Sequence, residues 1–438
     1  AQGRGGRLLR AQLGLDFGSA FTKVALRLGG EHRVVVTWEG LAGPACGEGE
    51  GSSACLPGAI HWEGGLCLPG PGERTRRDLK RPLMQEGADP RDAEAFRDAA
   101  CFLAWAIRYA RAWLYRHPDL GPLARERRLA WELAIGCPTR PFRDEGLKGR
   151  FQRLAEAAWW LAGAEVIDEA RAREAQARRR PEALGLADEP CVFPEFLAQL
   201  GGYVTTGQVQ HDGPHALLDV GAHTVDAATF SLGTPLDQSA GPTRVVALLY
   251  ETVRPEGTWE LAEHRTRGTG VVAIRGPGEP CLGTEAFARD RGLPVPEVHR
   301  RDEAFLDRLC DRLVREVLEP SCSNTRWGAW RDRAWESSLP VFLTGGGAAC
   351  PLYREALERT QQRLRARCSP HVSPHFRFRP MDLAAGAWRD VPSGVRRRAS
   401  VALGLVEDLD GVEIRSRREA RPWRLREPLS HEELYSEP

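Results

Sequence analysis

Three apolar runs that each end in a glycine turn constrain this chain more than any other feature. They are residues 13–23 (LGLDFGSAFTK), 217–226 (LLDVGAHTVD) and 341–347 (VFLTGGG). An apolar run stopped by glycine predicts a buried strand feeding a tight turn. Such a turn presents backbone N–H groups, and its small residues let a phosphate come close. The first two turns share an acid at their start, Asp16 and Asp219, and a threonine inside, Thr22 and Thr224. Two acid-bearing turns followed by a triple-glycine turn predict two matched half-sites closing on one nucleotide.

The chain has 438 residues, enough for two lobes rather than one core. Apolar residues make up 42% and charged residues 28%, ordinary for a globular protein. A net charge of only +1 gives no electrostatic reason to expect a nucleic-acid partner. No apolar run reaches the ~18 residues of a membrane span, and the Gly/Arg-rich start lacks the apolar stretch of a signal peptide. Eleven cysteines without a Cys-x-x-Cys pair predict buried thiols and a reducing, cytoplasmic setting. Of 61 basic residues only Lys23, Lys80 and Lys148 are lysines. A lysine kept in an arginine-using chain marks a place where a compact ammonium is needed.

Along the chain, 13–17, 24–28 and 34–38 predict a β-meander, with a further strand pair at 59–62 and 65–68. Helical patterning spans 92–116, 147–162, 193–204, 303–318, 352–366 and 399–406. Strands are expected at 131–136, 166–167, 216–220, 226–231, 245–252, 259–263 and 340–343. Residues 170–180 read as a polar linker or helix, and the charged end, 411–438, as a mobile tail. The strand–turn–strand pattern of 13–28 recurs at 217–231, so the lobes are expected to be internally related. Trp327, Trp330 and Trp335 form a candidate partner surface, and residues 368–375 carry Cys and His in loosely metal-like spacing.

The three turns, in this order, resemble those of the actin, seventy-kilodalton heat-shock chaperone and sugar-kinase superfamily over roughly residues 11–408. Two more segments are similar to the chaperone ATPase domain. Residues 77–83 (RDLKRPL) are similar to the stretch carrying a lysine that assists ATP hydrolysis, which implies that role for Lys80. Residues 192–198 (VFPEFLA) are similar to a stretch whose glutamate sits near the metal, which implies that place for Glu195. The resemblance implies an α/β, two-lobed actin-like fold with duplicated ribonuclease-H-like lobes around a central nucleotide cleft. Lobe I is expected over 11–190 with an insert near 37–128, and lobe II over 191–398 with an insert near 232–302. A helix at 399–410 would return to lobe I.

Within that cleft, ATP and Mg²⁺ are the expected ligands. Asp16 and Asp219 would hold Mg²⁺ through water, because Mg²⁺ dehydrates reluctantly. Gly18, Ser19, Ala20, Phe21 and Lys23, with Gly221, Ala222 and His223, would line the phosphates. Lys80, Glu195, Asp219 and Thr224 would serve hydrolysis, and Gly345, Gly346 and Gly347 would approach the sugar and base. His223 is open to two readings, a phosphate contact or a residue pointing to solvent. The second turn has fewer glycines than the chaperones', and no arginine follows the third. The roughly 30 residues after Asp408 are too few for a peptide-binding domain, so a lone nucleotide-binding domain is expected. The expected activity is a slow ATPase acting as a chaperone-like switch for a partner protein. The alternatives are an actin-like filament former built of like subunits, a small-molecule kinase, or a nucleotide sensor without turnover.

Overall fold

The structure, a computed structural model, describes residues 8–39, 52–84, 94–138, 145–178, 186–205, 213–233, 244–276, 278–323, 338–367, 375–379, 381, 388, 391, 393–407 and 412–415. The Trp327, Trp330 and Trp335 cluster and residues 368–374 lie outside them.

Two mixed sheets carry the architecture. The first is built from β1 (Leu8–Phe17), β2 (Phe21–Leu28), β3 (His32–Val35) and the short β4 (Leu56–Pro57). A small separate sheet follows, from β5 (Ala59–Glu63), β6 (Leu66–Pro69) and β7 (Arg76–Arg77). After α1 (Glu94–Arg116) and α2 (Leu120–Glu126) the chain re-enters the first sheet as β8 (Arg128–Cys137). It then passes through α3 (Glu145–Gly163) and α4 (Glu169–Ala177) to β9 (Cys191–Pro194). The main strand order is β3-β2-β1-β8-β9. The β1, β2 and β3 neighbours are antiparallel, whereas β1/β8 and β8/β9 are parallel.

Helix α5 (Glu195–Thr205) leads to the second sheet: β10 (Gly213–Val220), β11 (Val225–Gly233) and β12 (Arg244–Arg254). Next come α6 (Thr258–Thr266), α7 (Thr284–Arg291), α8 (Val295–Arg312), a π-helical turn (Leu313–Leu318) and α9 (Glu319–Ser323). Strand β13 (Leu339–Thr344), α10 (Pro351–Arg367), β14 (Phe376–Arg379), α11 (Ser393–Arg398), α12 (Ser400–Gly404) and β15 (Val412–Arg415) complete the chain. The order β12-β11-β10-β13-β14 repeats that of the first sheet, strand for strand and with the same senses, and β15 is added beside β12. The expected internal relation is therefore present as a duplicated α/β topology.

Strand alternation explains the layers. Side chains at successive positions leave opposite faces. In β1, Leu13, Leu15 and Phe17 enter a core with α1 and α3. In β10, Ala216, Leu218 and Val220 face α8 and α10. The intervening positions look the other way, into a shared core. There Leu217, Phe230 and Phe342 meet Phe196, Leu197 and Leu200 of α5, Ala402 and Leu403 of α12, and Ala25 and Val35 of the first sheet. Helices α5 and α12 are thus sandwiched between the sheets. Their approach is very close: a Cβ on Gly404 would fall 1.7 Å from the Ala198 carbonyl oxygen, and one on Gly14 would fall 2.7 Å from that of Ala402.

Several expectations need correction. Residues 259–263 are not a strand but lie in α6, where Leu261 and, one turn on, Arg265 and Thr266 are the buried positions. The alternation of Trp, Glu and Leu there imitates a strand only while Gly257, at the helix start, is ignored. Residues 166–167 form no strand; one isolated bridge joins Leu66 to Asp168. The stretch 193–204 starts in β9, and Glu195 opens the helix. Of the linker or helix expected over 170–180, the structure shows the helix, α4, ending at Ala177. The last helix is broken at Ala399 into α11 and α12. Within the expected tail, Val412–Arg415 is a strand paired with β12 rather than a free end. Among the described residues no helix is long and apolar enough to cross a membrane.

The glycines give a paired test. Gly404→Ala is expected to cost about 2–4 kcal/mol in urea unfolding, since backbone rather than a movable side chain blocks the methyl group. Gly149→Ala, on the exposed face of α3 with nothing within 4 Å of the added Cβ, should instead gain about 0.5–1 kcal/mol.

Candidate functional site

The site forms where β1 and β10 end. Asp16 shares a strand face with Gly14, and Asp219 with Leu217, so both carboxylates belong to the faces turned towards α5 and α12. The hairpins match in register: Asp16 pairs with Lys23 across β1–β2, and Asp219 with Asp226 across β10–β11. Between each pair lies a turn, residues 18–20 or 221–224, that is part-exposed except for His223, while the strands leading into them are buried.

Each turn is fastened from behind by a glycine at an equivalent place. Gly58 N–H donates to the Ala20 carbonyl (2.9 Å), and Gly257 N–H to the His223 carbonyl (3.0 Å). The start of α6 adds two bonds, Thr258 N–H to Gly221 O (3.0 Å) and Trp259 N–H to Ala222 O (2.7 Å). A Cβ on Gly257 would sit 2.4 Å from the Ala222 oxygen, so only glycine permits this contact. The third turn closes on the second. Gly345 takes φ +86°, and a Cβ there would lie 2.1 Å from the Asp219 carboxylate. One on Gly347 would meet Val220 and Thr258. Gly346 stays exposed.

Two lysines enter the site and one does not. Lys23 Nζ donates to Asp16 Oδ2 at 2.9 Å. Lys80 is 5% exposed and donates to Glu195 Oε1, although Arg74, Arg76, Arg77 and Arg81 around it all face solvent. Lys148 lies exposed on α3. Glu195, the first residue of α5, fits because Gly136 of β8 leaves room against its side chain. Asp219 accepts from Gln199 Nε2, and Gln199 also donates to Ser400 Oγ and accepts from Thr344.

Charge in this pocket is out of balance. Burial would lower the Lys23 and Lys80 ammoniums, but Asp16 holds the first above its usual range and Glu195, aided by Asp16 and Asp226, holds the second there. Burial raises Glu195, Lys80 opposes the rise and Asp16 adds to it. Asp219 is pushed up to about 6, first by burial, then by repulsion from Glu195 and Asp16, with Gln199 opposing. The carboxylates outnumber the ammoniums, and Asp219 bears the cost. Among the described residues no three His, Cys, Asp or Glu side chains stand close enough to chelate a metal directly.

The expected residues therefore gather, with one change of role. The His223 ring does not point to solvent: it is 7% exposed, with Nε2 2.9 Å from Asp78 Oδ2 and Nδ1 3.4 Å from Glu260 Oε1. Sequence reasoning passed over Gln199 and Asp226. Gln199 follows Glu195 by one helical turn and so shares its face. Asp226 occupies the hairpin position that Lys23 holds in the first lobe, which aligning the two turns would have shown. No protein-family model matches the chain, and no curated protein matches it.

Removing one acid should relieve the imbalance. Asp219→Asn is expected to raise stability by about 1–2 kcal/mol at pH 7. The sign follows from linkage. A folded-state value near 6 exceeds the unfolded carboxylate's, so the folded protein takes up the proton between pH 4 and 6. The penalty is absent below that window and complete above it. The stability gap between variant and parent, read by thermal melting, should therefore open as pH rises from about 4 to 6 and stay flat beyond.

Proposed function

We propose that this chain is an ATP-binding, Mg²⁺-dependent ATPase of the actin-like fold with two ribonuclease-H-like lobes. In this reading it works as a chaperone-like conformational switch for a partner protein. One observation carries the reading: two sheets that share a five-strand order and its senses end in register-matched hairpins, Asp16 and Asp219 sit at the same place in each, and both acids face the layer between the sheets. Ligands of open α/β sheets bind beyond the carboxyl ends of the strands, where these turns lie.

The donor chemistry fits the proposed ligands. The raised Asp219 carboxyl marks surplus negative charge that a dication relieves. With no direct chelating cluster among the described residues, coordination by Asp16 and Asp219 runs through water, as Mg²⁺ prefers. Bound there, the ion would supply charge neutralisation to the phosphates. The chain's own groups do the rest. The backbone of Gly18, Ser19, Ala20 and Phe21, and of Gly221, Ala222 and Thr224, cradles phosphate oxygens. Lys80 brings an ammonium towards the transferred phosphoryl group and the attacking water, where charge develops. Glu195 fixes that ammonium and accepts from water. The Thr224 hydroxyl orients the terminal phosphate. Gly345 and Gly347, without side chains, allow the sugar and base close to the second turn.

Hydrolysis becomes a switch if it alters the fit between the lobes, because a partner can then read the two states. Mg²⁺ with ATP should raise the melting temperature of the parent protein. Lys80→Ala should keep that rise while phosphate release falls about 100-fold or more. A parent protein with neither a nucleotide-dependent melting shift nor phosphate release sinks the reading.

A further inference from the structure

Asp78 and His223 stand out once the site is assembled. Asp78 follows β7 in the lobe I segment that delivers Lys80, and it holds φ +55°, one of two non-glycine residues with positive φ among those described. Aspartate tolerates that conformation better than most residues but under strain, and such strain persists only where surroundings impose it. Leu79 and Leu83, on either side of Lys80, are buried in the lobe I core. A turn closed by Leu83 N–H to Lys80 O (3.1 Å) ties them together. The bend at Asp78 therefore sets the direction in which the Lys80 side chain leaves its turn.

The Asp78 carboxylate meets a residue of the other lobe. His223 lies in the β10–β11 turn, and its Nε2 is 2.9 Å from Asp78 Oδ2. The ring is held on edge against Trp259 of α6, centroids 4.9 Å apart, and Nδ1 faces Glu260. The His223 carbonyl is fixed by Gly257. The imidazole is thus anchored to lobe II through its backbone, its packing against Trp259 and one nitrogen, and reaches lobe I with the other. Yet the contact is not a relaxed one. His223 Nε2 and Asp78 Oδ1 are both buried without an aligned hydrogen-bond partner.

We propose that His223 and Asp78 form a latch between the lobes that positions Lys80. His223 is then a positioning residue, acting on the phosphoryl-transfer site through Asp78 rather than by touching the phosphates. When the lobes separate, the contact breaks, the bend at Asp78 is no longer imposed, and the Lys80 turn loosens. When they close, the contact brings Lys80 back to Glu195. Closure and the hydrolytic geometry become one event, with a contact weak enough to release. This inference rests on the ATPase reading above for its kinetic consequence, but its structural part does not need nucleotide.

The test compares the parent with His223→Ala, Asp78→Gly and the double variant. Glycine adopts φ +55° without strain but is not held there, so Asp78→Gly permits the bend while removing the contact that imposes it. The latch requires single-turnover hydrolysis to fall about 10–100-fold in each single variant, with the ATP dissociation constant within about threefold of the parent. The double variant should be no slower than the slower single one. Without nucleotide, amide exchange over residues 77–84 should quicken about tenfold in His223→Ala. Parent-like turnover in Asp78→Gly, losses that multiply in the double variant, or unchanged amide exchange each overturn the latch. The ATPase reading fails by a different sign, a parent protein whose melting ignores Mg²⁺ with ATP. The exchange measurement still decides the latch in that event.

Discussion

The near-contact of α5 with α12 is the constraint on which the rest depends. Gly404 lets the last helix press against the Ala198 carbonyl, and Gly14 lets β1 press against the same helix from the far side. With a methyl group at either place the two sheets would stand further apart. The apolar side chains of Phe196, Leu197, Leu200, Ala402 and Leu403 then fill the layer completely, and close packing makes that spacing stiff. Because Asp16 and Asp219 are on the strand faces that line this layer, the spacing between sheets also sets how near the two acids come. Arg27, which donates to the Val406 carbonyl, and Arg33, paired with Glu407, fasten the end of α12 to β2 and β3.

The electrostatics follow from that enforced closeness. Acids brought together in a partly buried place raise one another's proton affinity unless cations intervene. Here two lysines intervene, each paired with a single acid, and Asp219 is left to an amide. The scarcity of lysine in the chain acquires a physical meaning. The guanidinium side chains around Lys80 stay at the surface, and only the ammonium goes inside.

Much of this was legible in the sequence. Apolar runs ending in glycine were enough to place β1, β10 and β13, because buried strands and tight turns depend on local chemistry. The recurrence of the hairpin was legible for the same reason. What local pattern could not supply was direction. Whether residues 259–263 formed a strand or a helix turned on Gly257 docking against the second turn, a contact between distant segments. The strand at Val412–Arg415 was hidden in a charged stretch, since its place is settled by the free edge of β12. His223 read as a turn residue with two possible fates, because nothing near it in sequence mentions Asp78. Gln199 lay in the expected helix, but its partners Asp219 and Ser400 are distant in sequence.

The duplicated hairpins differ at one matched position. Where β2 carries Lys23 opposite Asp16, β11 carries Asp226 opposite Asp219. One half of the repeat is therefore internally neutralised at that rung, and the other is doubly acidic. Symmetric folding has produced two hairpins of unlike charge. The two halves, alike in topology, could not exchange places.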